Sequence, residues 1–285
     1  MASIVVYTNP MDKLFIWRAG WPPVVHGYLL CGALRAMALR GHRYRVMKEP
    51  RPVRADLAIM HTDSTFVDKE YLALADAFPR TINFGAADIS KRNVSRSLLA
   101  KDTSWPGQVI VKSDLNYGGL VEVRRNREAQ RRGLPEPYPG AKEKLVYDIY
   151  DNPQAVPPEV WDDPDLVVEK FMPEKGPDGY AMRTWLFLGD EGGCVRHVSA
   201  QPVIKSHGVI RSERVDVPEE MYAERERLGV QYGKFDFVLN EGKPVLLDAN
   251  KTPGAPDMPR DMRHRIANRL ANGMESLLRA GGGKH

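Results

Sequence analysis

Two apolar runs near the C-terminal end constrain the fold most. Lys234-Phe235-Asp236-Phe237-Val238-Leu239 is followed by the polar stretch Asn240-Glu241-Gly242-Lys243, then by Pro244-Val245-Leu246-Leu247-Asp248-Ala249-Asn250. Strand-like runs around a glycine-containing turn predict a β-hairpin. Side chains alternate across a strand, so Lys234 and Asp236 share one face, and Asp248 and Asn250 share one face of the second run. Pairing would bring two carboxylates and an amide oxygen to one place. Such oxygen donors suit Mg²⁺, a hard cation that bridges protein carboxylates to substrate phosphates. Acidic residues on many hairpins simply face water, and on this segment alone that reading stays open. Against it, Phe235, Phe237, Val238, Leu246 and Leu247 predict a packed interior, where an uncompensated carboxylate is costly.

The first 90 residues alternate strand and helix signals. Strands are expected at Ile4–Thr8, Tyr44–Lys48, Asp56–His61 and Thr81–Phe84, with helices at Val24–Arg40 (ended by Gly41) and Lys69–Phe78. Such alternation predicts a parallel α/β sheet, whose ligands gather beyond the carboxyl ends of the strands. The loop after the first strand is long and aromatic, from Phe15 to Pro23. It reads as a substrate-pocket wall or as a small satellite core.

Farther on, Gln108–Lys112 is a strand ending in a lysine, followed by Ser113-Asp114-Leu115-Asn116-Tyr117-Gly118-Gly119 and a strand-like Leu120–Val123. Paired glycines can let backbone N–H groups approach phosphate oxygens, and the lysine adds a point charge. An ordinary hairpin with a glycine turn fits as well. No Walker pattern is present. Residues 124–165 are charged and rich in proline, and read as an insertion with short helices. Its arginine cluster resembles a solvated face. The run from Asp165 to Pro173 is a strand that breaks at its proline, and Ala181–Leu188 and Val195–Ile204 are two more strands. A helix over Met262–Leu278 closes the fold, and the tail 281–285 reads as disordered.

Composition adds exclusions. A formal net charge of +4 is too small to argue for a nucleic-acid partner. The most apolar stretch, Val24–Leu39, is broken by His26, Gly27, Gly32 and Arg35, too short and polar to span a bilayer. No secretory signal is visible, and Cys31 and Cys194 are isolated, so a reducing, cytoplasmic location is expected.

The order strand-Lys112, glycine loop, Glu169-Lys170-Phe171, Arg183, Asp236, then Asp248-x-Asn250 with Thr252-Pro253-Gly254 resembles the ATP-grasp superfamily. The nearest likeness is to carboxylate–amine ligases: D-alanine–D-alanine ligases, glutathione synthetases and RimK-type enzymes. The resemblance implies an ATP-grasp fold of class α/β (α+β), with a Rossmann-like N-terminal lobe and two lobes clamping ATP. The boundaries it implies are 1–90, 91–172 with the 124–165 insertion, and 173–285. It implies phosphate contacts from Lys91 and Lys112, a flexible loop with Gly118 and Gly119 over ATP, and an adenine hinge at Glu169, Lys170 and Phe171. Glu174 or Asp178 would take the ribose, and Asp236, Asp248 and Asn250 would hold two Mg²⁺ ions. Asp248 stands where the family usually has Glu.

The implied reaction activates a carboxylate as an acyl-phosphate for attack by an amine, releasing ADP and phosphate. Arg183 and Lys234 are the expected charge-stabilising residues, and Arg18, Lys205 and Arg211 are candidates for a substrate carboxylate. A structural ion pair is the other reading of Arg183. The carboxylate and amine substrates would be small molecules or peptides, with no nucleic-acid or membrane partner, and the resemblance admits a homodimer. Two alternatives use the same fold: a kinase acting on a hydroxyl, and a non-catalytic nucleotide-binding protein.

Overall fold

The computed structural model describes residues 1–12, 15–16, 24–25, 27–256 and 258–280. It opens with β1 (Ser3–Tyr7), the short antiparallel pair β2 (Phe15–Ile16) and β3 (Val24–Val25), α1 (Leu29–Leu39), β4 (Arg43–Met47) and β5 (Leu57–Met60). Then follow α2 (Lys69–Leu72), a 3-10 turn over Ala75–Ala77, and β6 (Thr81–Ile82). Strands β4, β1, β5 and β6 form a parallel sheet in that order, as the alternation predicts. The run Leu57-Ala58-Ile59-Met60 is wholly buried because both faces of the sheet are covered. Leu30, Leu34 and Met37 of α1 pack one face, and Tyr71, Phe78 and Phe84 the other. Helix α1 starts five residues later than expected. Tyr28 is extended and pairs with Gly254, while Leu29 N–H donates to the Pro253 carbonyl at 3.0 Å.

The middle of the chain gives α3 (Lys91–Val94), β7 (Val109–Ser113), a 3-10 turn over Asn116–Gly119, α4 (Leu120–Arg131), β8 (Asp148–Tyr150), α5 (Pro158–Asp162) and β9 (Leu166–Lys170). Strands β8, β7 and β9 make an antiparallel sheet in that order. Leu120–Val123 is not a strand but the first turn of α4. Tyr117, Gly118 and Gly119 all have positive φ (50°, 63° and 76°), which turns the chain sharply before the helix starts. The expected insertion therefore supplies most of α4 and an edge strand of this sheet.

The remainder is β10 (Glu174–Gly176), β11 (Gly179–Leu188), β12 (Glu191–Ser199), β13 (Val209–Val215), α6 (Glu219–Arg227), β14 (Tyr232–Asn240), β15 (Lys243–Asn250) and α7 (Arg260–Arg279). The antiparallel sheet runs β13-β12-β11-β14-β15, with β10 also on β11. The predicted hairpin is β14–β15. Its turn, Glu241-Gly242, has positive φ at both residues (50° and 79°), matching the twist of the strands it joins. One face of this sheet buries Trp185, Phe187, Phe235, Phe237 and Leu246 against Met221 of α6.

Asn83 ties the N-terminal sheet to this one. It sits at φ 64°, a region asparagine tolerates, and is fully buried. Its Oδ1 accepts from the Gln231 and Tyr232 N–H groups at 2.9 Å each, and its Nδ2 donates to the Tyr232 carbonyl at 2.7 Å.

Candidate active site

In the hairpin Asp236 lies opposite Asp248, and Lys234 opposite Asn250, so all four share a face. The register shifts between Asp236 and Phe237, leaving Leu247 as an extra residue, a β-bulge. Thr184 of β11 lies opposite Asp236 and donates its hydroxyl to Asp236 Oδ1 at 2.8 Å. Lys234 Nζ is 2.8 Å from Asp236 Oδ2, and Lys91 is paired with Asp248. From the facing sheet, Lys112 Nζ pairs with Glu169 Oε2 at 2.8 Å, both side chains buried.

Between the two sheets lies a cavity of about 170 Å³. Its lining combines apolar side chains, Ile110, Phe171, Met172, Val203 and Leu247 among them, with the polar and charged Lys112, Tyr147, Lys170, Asp236 and Asp248. Lys91, Lys112 and Lys234 balance Asp236, Asp248 and Glu169 in charge. Burial works against the Asp248 carboxylate, but attraction and a hydrogen bond from Lys91, then Lys234 and Lys112, outweigh it and hold the group below the usual carboxylate range. Burial likewise opposes the charge on Lys91 and Lys234, and Asp248 and Asp236 respectively overcome it, so both ammonium groups are held above the usual lysine range. Burial, then Asp248, pushes the Tyr147 phenol up.

Among the described residues no three His, Cys, Asp or Glu side chains converge as a metal cluster. The candidate set has only two carboxylates, and its third member is the amide of Asn250, whose Oδ1 accepts from Thr252 N–H at 2.8 Å. The two opposed carboxylates and the amide oxygen two residues on are donors of the hard type Mg²⁺ takes, and a cation there would displace Lys91 and Lys234 from Asp248 and Asp236.

Several expected site residues lie elsewhere. Arg183 is opposite Phe237, one residue out of step with Asp236, and therefore points to the opposite face of the sheet. There it is ion-paired with Glu174, whose Oε2 also accepts Leu239 N–H at 2.7 Å. Neither residue lines the cavity. Asp178 is taken up by Arg196 and by Arg211, the latter at 2.6 Å, so Arg211 is also outside the cavity. Gly118 and Gly119 do not line it either. A Cβ on either would lie 2.5 Å from a backbone carbonyl, of Lys144 and Lys142 respectively, so the glycines are there for packing. Glu169 pairs with Lys112 rather than flanking a hinge, and the Lys170 ammonium sits 4.6 Å over the Trp105 ring, although Lys170 and Phe171 do line the cavity. Lys205 is exposed, next to the cavity residue Ile204. Arg18 lies outside the described residues.

Sequence reasoning missed Tyr147, Thr184 and Lys251. Lys251 is buried, donating to the carbonyls of Ala86 at 3.2 Å and Thr65 at 3.5 Å. Burial, with Arg125 adding to it, pushes its pKa down to about 7. Its place directly after Asp248-x-Asn250 was the available signal.

No protein-family model matches the chain, and no curated protein sequence does. Solved structures do. The ATP-grasp ligase PsnB complexed with precursor peptide PsnA2 and AMPPNP superposes with a TM-score of 0.52 at 13% identity, over 97% of this chain and 97% of that one. PsnB complexed with a minimal precursor superposes with a TM-score of 0.51 at 14% identity, over 95% of this chain and 99% of that one. At such identities the likeness speaks for architecture alone, and on that ground this chain has the ATP-grasp fold.

Proposed function

We propose that the chain is an ATP-dependent ligase that activates a carboxylate and joins it to an amine. One observation carries this reading: a cavity between the two sheets has apolar lining beside Lys112, Asp236 and Asp248, which are ion-paired with Glu169, Lys234 and Lys91 respectively. The apolar lining, with Phe171 and Met172, suits an adenine ring. Lys112 and Lys91 exchange their carboxylate partners for ATP phosphates. Asp236, Asp248 and Asn250 would hold Mg²⁺, which supplies charge neutralisation at the β- and γ-phosphates when bound.

Phosphoryl transfer needs positioning and charge stabilisation rather than covalent protein chemistry. A substrate carboxylate oxygen attacks the γ-phosphorus, the bond to the bridging oxygen breaks, and ADP leaves. Lys234, on the face of the metal-binding pair, stabilises the acyl-phosphate. The amine then attacks the acyl carbon, phosphate leaves, and the ammonium formed gives its proton to water.

The test is ADP and phosphate release over a panel of amino acids, small acids and peptides, with mass analysis. Equal ADP and phosphate with a new amide is expected, lost in Asp248→Asn. ADP with a stable phospho-product instead would identify a kinase, and no ADP from any acceptor would leave a nucleotide-binding protein.

A further inference from the structure

A second cavity, of about 450 Å³, opens between the end of the parallel sheet and α4. Lys48, Arg124, Arg125, Arg127, Arg131 and Arg132 line it, against Asp12, Asp63 and Glu128. The carboxylates are taken. Asp12 Oδ1 accepts from Arg125 at 2.5 Å, and Asp63 Oδ2 from the Tyr28 hydroxyl at 2.5 Å. Glu128 pairs with Arg131 at 3.3 Å and Arg132 at 2.8 Å, and Arg127 reaches out to Glu143 at 3.1 Å. Among the described residues Arg124 has no ion pair, and Lys48 meets only the Pro10 carbonyl at 3.4 Å. The cleft therefore carries surplus positive charge.

A solvated arginine face would account for the charge but not for its connection. Asn250 Oδ1 accepts from Thr252 N–H, and Thr252 Oγ1 donates to Asp63 Oδ1 at 2.8 Å. Asp63 N–H donates to Asp12 Oδ2 at 3.0 Å, and Arg125 holds the other oxygen of Asp12. An unbroken hydrogen-bonded path joins the end of β15 to the wall of this cleft.

We propose that this cleft receives the substrate other than ATP, and that this substrate is carboxylate-rich, either an acidic peptide segment or a free amino dicarboxylate. The inference rests on the ATP-dependent ligation proposed above. Arg124 and Lys48 take carboxylates beyond the one being activated, while the fixed Asp12–Arg125 pair shapes the inner wall.

The test is fluorescence anisotropy without ATP, using a labelled peptide of alternating Glu and Gly and its Gln counterpart. The Glu peptide should bind and the Gln peptide should not, with affinity falling as salt rises. Arg124→Glu/Arg131→Glu should weaken binding by about 10-fold or more, while Arg265→Glu, on the remote α7, should not. Both α4 positions are exposed, so the fold should tolerate them, which a thermal melt checks. Competition by free glutamate would point to a small dicarboxylate, and its absence to a peptide. Equal binding of both peptides, no binding of the Glu peptide or of labelled free glutamate, or unchanged affinity in the double variant overturns the proposal. Asp248→Asn separates the two readings: it should keep peptide affinity, so lost peptide discrimination counts against this cleft, and undiminished ADP release in that variant counts against the ligase.

Discussion

Replacing Lys112 with methionine should destabilise the protein by about 3–4 kcal/mol at pH 7, and a second substitution should restore most of it. The pair it breaks is interior: Lys112 and Glu169 have side-chain exposures of 7% and 2%, at 2.8 Å. Glu169 Oε1 already has no hydrogen-bond partner. Without the ammonium the carboxylate stays charged in a poorly solvating place or takes a proton. Protonating an ordinary glutamic acid of pKa about 4.3 at pH 7 costs about 2.7 units at about 1.36 kcal/mol each, roughly 3.7 kcal/mol, which caps the loss. That matches the roughly 3–5 kcal/mol measured when buried pairs lose one partner. The penalty should shrink by about 1.4 kcal/mol per pH unit on acidification, to about 1 kcal/mol at pH 5. Lys112→Met/Glu169→Leu removes both charges and should unfold close to the parent in urea, yet fail to bind ATP. Urea denaturation at pH 7 and pH 5, with nucleotide binding measured beside it, reads both effects. A single variant losing under 1 kcal/mol at pH 7, or a double variant no more stable than the single, would refute the argument.

Other outcomes follow from the same contacts. Asn83→Ala strands the Gln231 and Tyr232 N–H groups at the junction of the sheets and should cost about 3 kcal/mol or more in urea denaturation. Burial pushes the pKa of His61 from 6.5 down to about 4, so its neutral form is the folded one. Stability should therefore be fully present above pH 6.5 and fall by up to about 3 kcal/mol towards pH 4, and His61→Gln should flatten that limb of the profile. Neither cysteine is in a disulfide, and burial pushes Cys31 up to about 12 and Cys194 up to about 11. Both should resist alkylation at pH 8 in the folded protein and react on denaturation, followed by mass spectrometry.

The hairpin was legible because its information is local: alternation with period two, a turn that tolerates positive φ, and acids spaced to share a face. The parallel sheet was legible for a similar reason, since strands covered on both faces are continuously apolar. Arg183 was not, because its face is counted from its register with β14, and that register joins residues more than 50 apart in the chain. Leu120–Val123 misled because its residues suit a strand, while three left-handed residues before it and packing against 142–145 commit it to helix. Tyr147 lies in a proline-rich stretch with no periodicity, and only tertiary packing brings it to the cavity. The arginines of α4 were visible as a cluster, but not the cleft they enter.

The extra residue at Leu247 settles a conflict that a regular strand cannot. A strand that lines a cavity with both apolar and charged side chains must change character between adjacent residues while keeping both on one side. Strict alternation forbids that, because neighbours point apart. By absorbing one residue, the bulge lets Leu247 and Asp248, neighbours in the chain, both line the cavity. An apolar and a charged side chain thus stand together on a single peptide unit, and deleting that one residue would restore alternation and turn one of them away from the cavity.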